Sequence, residues 1–185
     1  MTLGHKGPHK IKDMKLKKLF SLLLIVTLLS SLSVYAQNVK VVTGHPDFKI
    51  KINRCEAAGS TVVIDMVFEN VGSRDVAPVF FGGSRHIVAG PNRDTSFAYD
   101  DDGNKYTGSN DFKFAIGKSD LTGFEIKETL PAEIPIKARI QLDGVPESAT
   151  MIKRIDFFID CPSWNLNLNK PIKITNLPIY REGED

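Results

Sequence analysis

The chain has 185 residues, and its 24 Lys and Arg against 22 Asp and Glu give a formal net charge of +2. Residues 1–36 hold six of the Lys and one of the acids, so the remainder keeps 18 basic and 21 acidic residues, a net charge of −3. Overall charge therefore gives no reason to expect nucleic acid or an anionic membrane as partner, and 37–185 has the length of one ordinary domain with its own core.

In chain order, the first element reads as a leader. Lys15, Lys17 and Lys18 precede an apolar run, Leu19 to Leu29, broken only by Ser21 and Thr27, and Val34, Tyr35 and Ala36 end on a small residue. This is the order of regions in a secretory signal peptide, with cleavage expected after Ala36. The alternative is an uncleaved anchor, for which the run is shorter than the roughly 20 residues of a spanning helix. No Cys stands near the cut, which argues against a lipoprotein, and Met14 is a second candidate for the start. Residues 1–36 are thus expected to be a leader and 37–185 one periplasmic or extracellular domain, with no membrane insertion after cleavage.

Short segments with period-two alternation come next, which is the signal of half-buried strands. In DFKIKINR, Phe48, Ile50 and Ile52 share one face; in TVVIDMVFEN, so do Val62, Ile64, Met66 and Phe68. Further strands are predicted for VAPVFF from Val76, TSFAY from Thr95, FKFAI from Phe112, GFEIKE from Gly123, IPIKARIQL from Ile134, MIKRIDFFI from Met151 and PIKITNLPI from Pro171. Turn residues such as Asn70, Gly72, Gly90, Pro91, Asp143 and Gly144 separate them. No window repeats at helical spacing, so the fold expected is an all-β antiparallel sandwich.

Three stretches carry a resemblance: FENVG ending one strand, the tyrosine-flanked DDDGN turn, and LPAEIPIKARIQLDGVPESA followed by a strand. Together, over roughly Asp47 to Cys161, they resemble small secreted bacterial immunoglobulin-like β-sandwich domains. The resemblance implies an immunoglobulin-like fold and an extracytoplasmic role in binding or scaffolding, and it carries over no catalytic residues. Trp164 follows both cysteines, unlike the Cys, Trp, Cys order of antibody domains.

YDDDGNKY (99–106) offers a cation cage or a hairpin tip. An EF-hand loop needs ligands at positions 1, 3, 5 and 12 and Gly at 6. Counting from Asp100 places Lys105 at the glycine and Asp111 at the bidentate Glu; counting from Ala98 loses the first ligand. A type I′ turn at Asp102 and Gly103 fits better, with Asp100 opposite Lys105 and Tyr99 opposite Tyr106. A weaker cation site that adds Asp111 or Asp120 is the alternative.

His45 and His86 are the only histidines after the leader, and neither has metal-ligand spacing. In GGSRH, Ser84 lies near His86, but GxSxG is absent, and the same glycines lack the Lys and Ser or Thr of a phosphate-binding loop. No catalytic residue, metal or cofactor is therefore expected. Phe80 and Phe81 are adjacent, so one faces away from the core in a regular strand; Phe157 and Phe158 pose the same problem. Phe80, Phe81, His86 and Trp164 form the candidate binding surface. Cys55 and Cys161, alone in an exported chain, are expected to form a disulfide; two buried thiols or one reactive thiol are the alternatives. Cys55 has the parity of Lys49 and Lys51, so it faces inward only if the strand bulges or ends near Arg54.

The function these observations imply is non-enzymatic recognition of a protein or glycan through inter-strand loops. Its alternative is an extracytoplasmic hydrolase that assembles Ser84, His86 and an Asp from separate loops; a structural subunit of a surface complex is a third possibility. N-terminal sequencing of the exported protein is expected to begin at or next to Gln37, and retention of Leu22 to Leu29 would restore the anchor.

Overall fold

Alternation of buried and outward side chains shapes the chain into short strands: β1 (Lys40–Val42), β2 (Phe48–Ala58), β3 (Thr61–Asn70), β4 (Val76–Phe81), β5 (Phe97–Asp100) and β6 (Lys105–Thr107). After a single helical turn, α1 (Gly108–Asp111), come β7 (Phe112–Ile116), β8 (Ile126–Leu130), β9 (Ile136–Asp143), β10 (Met151–Phe157) and β11 (Ile159–Asp160). A 3-10 turn, Pro162–Trp164, leads to β12 (Ile172–Pro178) and β13 (Tyr180–Arg181). The computed structural model describes residues 39–82, 96–166 and 170–182, so the expected leader, 1–36, lies outside them.

Two five-stranded sheets form the layers. Sheet I has the order β1-β12-β10-β5-β6 and sheet II the order β13-β2-β3-β9-β7; a three-stranded sheet, β11-β4-β8, stands beside them. Among the described residues, every strand pairing is antiparallel except that of β13 with β2. The fold is all-β, as alternation predicts, and the nine segments predicted from it each contain a strand. In β3, Val62, Ile64, Met66 and Phe68 are all buried, with half-buried residues between them. The layers share one core. At its centre Phe157 of sheet I meets Phe114 edge-on at 5.1 Å and lies 6.3 Å from both Phe68 and Phe81.

Adjacent aromatics resolve by facing opposite ways. Phe81 is fully buried and Phe80 half-buried. Phe158 leaves the strand path: its N–H donates to Ser96 Oγ, and its ring packs 6.3 Å from Phe97 on the side opposite Phe157. Gly82 follows Phe81 at φ +93°, where a Cβ would stand 1.9 Å from the Phe114 ring, so no other residue fits that approach. Asn70, also buried, donates to the Arg74 and Leu130 carbonyls and accepts from Gly72 N–H. It thereby satisfies the backbone where β3 turns toward β4.

The expected disulfide is overturned. β2 does bulge, with its register to β3 shifting between Ile52 and Arg54, and Cys55 turns inward opposite Ile64. Both cysteines are buried free thiols. Distance along the strand explains this. Trp164 packs on Phe48 at 5.5 Å and donates its backbone N–H to the Cys161 carbonyl, which places Cys161 near the start of β2. Cys55 lies seven positions further along β2, about 23 Å at roughly 3.3 Å per residue, well past the roughly 7 Å Cα separation a bridge tolerates. Burial, followed by the Glu56 charge, pushes the Cys55 thiol up to about 12, and burial also raises Cys161, so neither thiolate is populated at neutral pH. Denatured, unreduced protein treated with an alkylating agent is therefore expected to take up two adducts by intact mass, whereas a species taking up none would restore the bridge.

Candidate functional site

The hairpin joining β5 to β6 differs from the expected register by one residue. Tyr99 pairs with Lys105 and Ala98 with Tyr106, and Asp100 N–H donates to the Asn104 carbonyl at 3.2 Å. Asp101, Asp102 and Gly103 form a three-residue loop, with Gly103 at φ +88° supplying the left-handed position such loops use. The Asp100 side chain decides between the two registers. It is buried, accepting from Asn104 N–H and Asn104 Nδ2 at 2.8 Å and from Tyr106 Oη at 2.6 Å. A one-residue slip exchanges the faces of a strand, so Tyr106 enters the core while Tyr99 stays outside beside Lys105.

The other two acids are also occupied. Asp101 accepts from Thr150 Oγ1 at 2.6 Å and from Met151 N–H at 3.3 Å, and Asp102 accepts from Ser148 Oγ at 2.7 Å. Desolvation raises the Asp101 pKa, but these hydrogen bonds outweigh it and hold the carboxyl below its ordinary value. The acids thus fasten the hairpin to the β9–β10 connection. Among the described residues no group of three or more His, Cys, Asp or Glu is placed to hold a metal ion.

The outward register aligns side chains across all of sheet I. Pairings link Lys40 to Thr175, Thr175 to Arg154, Arg154 to Tyr99 and Tyr99 to Lys105, one row from edge to edge. The neighbouring row runs Val42, Lys173, Asp156, Phe97, Thr107. Lys40, Lys105, Arg154 and Lys173 are exposed, Phe97 and Tyr99 half-buried, and Asp156 buried. Lys105 Nζ lies 4.9 Å from the Phe97 centroid and 6.0 Å from that of Tyr99; Arg154 Cζ lies 5.9 Å from Phe97. Arg154 Nε donates to Asp156 at 2.7 Å, neutralising the one carboxylate of these two rows. Cations held against aromatic faces gain about 0.5–1 kcal/mol at exposed sites, which orders this patch while leaving its charge in water.

Sheet II presents a different surface. Arg54 and Arg139 both donate to Asp65, at 2.6 and 2.7 Å, beside an open groove of about 510 Å³ lined also by Asn53, Ser119 and Lys137. Arg54 also pairs with Glu56. No aromatic is among the described residues that line the groove, where Arg54 and Arg139 are paired with Asp65 and Lys137 adds a further positive charge.

Three of the four residues of the sequence-based binding surface lie within the described residues, and these three do not form one exposed surface. Phe81 is withdrawn from it, because it stacks in the core on Phe68 at 5.6 Å. Phe80 lies half-buried in β4 with Lys127 Nζ 5.9 Å from its ring. Trp164 is half-buried, stacked on His45 at 4.8 Å and tilted on Phe48. His86 and Ser84 lie outside the described residues. The sheet I face escapes sequence reasoning because its members come from five segments, and only the register brings them together. Comparison with protein-family models, curated proteins and solved structures finds no match for this chain.

Removing the Asp100 carboxylate leaves the Tyr106 hydroxyl without its buried acceptor. Asp100→Ala is expected to cost about 1–3 kcal/mol in urea unfolding, whereas exposed Asp102→Ala changes stability by no more than about 0.5 kcal/mol.

Proposed function

We propose that the chain is an exported, non-enzymatic binding module, an immunoglobulin-like β-sandwich that recognises a protein or glycan partner through the outer face of sheet I. The observation that carries this reading is the edge-to-edge row in which Tyr99 stands between Arg154 and Lys105. Tyr and Arg concentrate binding energy at interfaces, and side chains already ordered before contact lose less entropy on association. Two mainly antiparallel layers around one core, preceded by a leader-like segment, favour an extracytoplasmic immunoglobulin-like domain over an intracellular enzyme fold. The loops expected to carry recognition are less well supported than the sheet, since Phe81 is internal and Trp164 is packed. The hydrolase alternative rests on Ser84, His86 and an Asp coming together.

The purified domain, tested against immobilised glycans and cell-envelope proteins, is expected to retain a partner that the Tyr99→Ala/Arg154→Ala variant releases, with affinity reduced at least about tenfold. Arg154→Ala also leaves the buried Asp156 carboxylate without its partner and should lower the melting temperature, so Tyr99→Ala alone, an outer-face change expected to leave the melting temperature nearly unchanged, must by itself weaken binding. Release of cleavage products from peptide, ester or glycoside substrates during incubation would replace this reading with the hydrolase.

A further inference from the structure

We infer that the ligand of this face is a linear acidic glycan lying across the strands, along the row Lys40, Thr175, Arg154, Tyr99, Lys105; the inference rests on the binding role proposed above for sheet I. Charge is the first argument. The two outward rows carry Lys40, Lys105, Arg154 and Lys173 against Asp156 alone, although residues 37–185 have an excess of acids. Asp156 is buried and bonded to Arg154, so it does not face an incoming ligand. Positive charge is therefore gathered on this open sheet face, where it acts on the approach of an anion.

Spacing narrows the class. Neighbouring strands stand about 4.8 Å apart, so Lys40, Arg154 and Lys105, each separated by one strand, repeat at about 10 Å over a row of about 19 Å. Duplex DNA presents one charge per about 1.7 Å of axis, roughly eleven over the same length, far more than this row answers. Three widely spaced cations instead match a chain whose acidic units alternate with neutral ones. Tyr99, half-buried between Arg154 and Lys105, offers an aromatic surface to a neutral sugar ring between two anchored carboxylates, and the Thr175 hydroxyl fills the same place between Lys40 and Arg154. The row runs across all five strands of the sheet, from β1 at one edge to β6 at the other, which suits an extended chain rather than a compact solute.

Calorimetric titration with hyaluronan oligosaccharides, in which a uronate alternates with a neutral sugar, tests the inference, with neutral cellulose oligosaccharides and oligothymidylate as comparisons. Hyaluronan is expected to bind saturably, and more weakly at high salt. Lys40→Gln and Lys105→Gln, both at exposed positions, should each weaken binding about threefold and together about tenfold. Lys137→Gln, on sheet II, should leave it unchanged. Absence of hyaluronan binding, equal or tighter binding of cellulose oligosaccharides or oligothymidylate, or indifference to the two lysines would overturn the acidic-glycan assignment. If a neutral glycan or a protein then binds and Tyr99→Ala abolishes that binding, the binding role of the face survives without its acidic ligand; a partner indifferent to every sheet I substitution removes both.

Discussion

The packing of Phe157 between the sheets is the constraint on which the rest of the structure depends. Its ring, almost fully buried, touches Phe68, Phe81, Phe112 and Phe114, so residues of sheet II and of the smaller sheet are all fitted against one side chain of sheet I. Edge-on and offset contacts of this kind are worth about 0.5–1.5 kcal/mol each beyond the area they bury. With Phe157 directed inward, pleating directs Asp156 and Arg154 outward. Phe158 is then left on the wrong side for a regular strand, and it packs on Phe97 instead. The core side chain thereby sets the orientation of the cationic and aromatic residues on the opposite face.

Irregularities in the strands serve the same end. Between Ile152 and Arg154 the register of β10 against β5 shifts, which keeps both Ile152 and Ile155 buried although they are an odd number of residues apart. The shift of β2 between Ile52 and Arg54 does the same for Cys55 and sets Arg54 outward against Asp65. A bulge adds one residue and exchanges the faces of the residues beyond it, so in both strands an apolar series resumes in the core and an Arg is delivered to the surface. The two faces then diverge. On sheet II both Arg side chains share Asp65, while on sheet I Lys105 and Arg154 lie over the ring of Phe97.

The hairpin at 100–104 shows how a small local choice reaches the proposed site. A two-residue turn would have directed Tyr99 and Tyr106 to the same face. The buried carboxylate of Asp100, holding Asn104 and Tyr106, instead sets a three-residue loop. Burial and the adjacent carboxylate raise the pKa of the Tyr106 hydroxyl, so it remains a donor to Asp100. Tyr99 is released to the outer face, where Lys105 of the neighbouring strand lies over its ring. The acids that resembled a cation cage are hydrogen-bond acceptors that fix the register of the row proposed to face the ligand.

The sequence by itself determined the all-β class, the positions of nine strand-bearing segments, the inward face of β3 and that of β2 as far as Ile52, and the opposed orientation of Phe80 and Phe81. These rest on period-two alternation, which is local: each residue's face is set by its neighbours two positions away. It left β1 and β13 unseen, because strands of three and two residues carry too little alternation to register. Only the tertiary structure decided the hairpin register, the separation of Cys55 from Cys161, the stacking of His45 on Trp164, and the alignment of Lys40, Arg154, Tyr99 and Lys105. Each of these depends on which strand lies beside which and on where a bulge or buried hydrogen bond shifts the count, and pairing between segments far apart in the chain is not written in the alternation of any one of them.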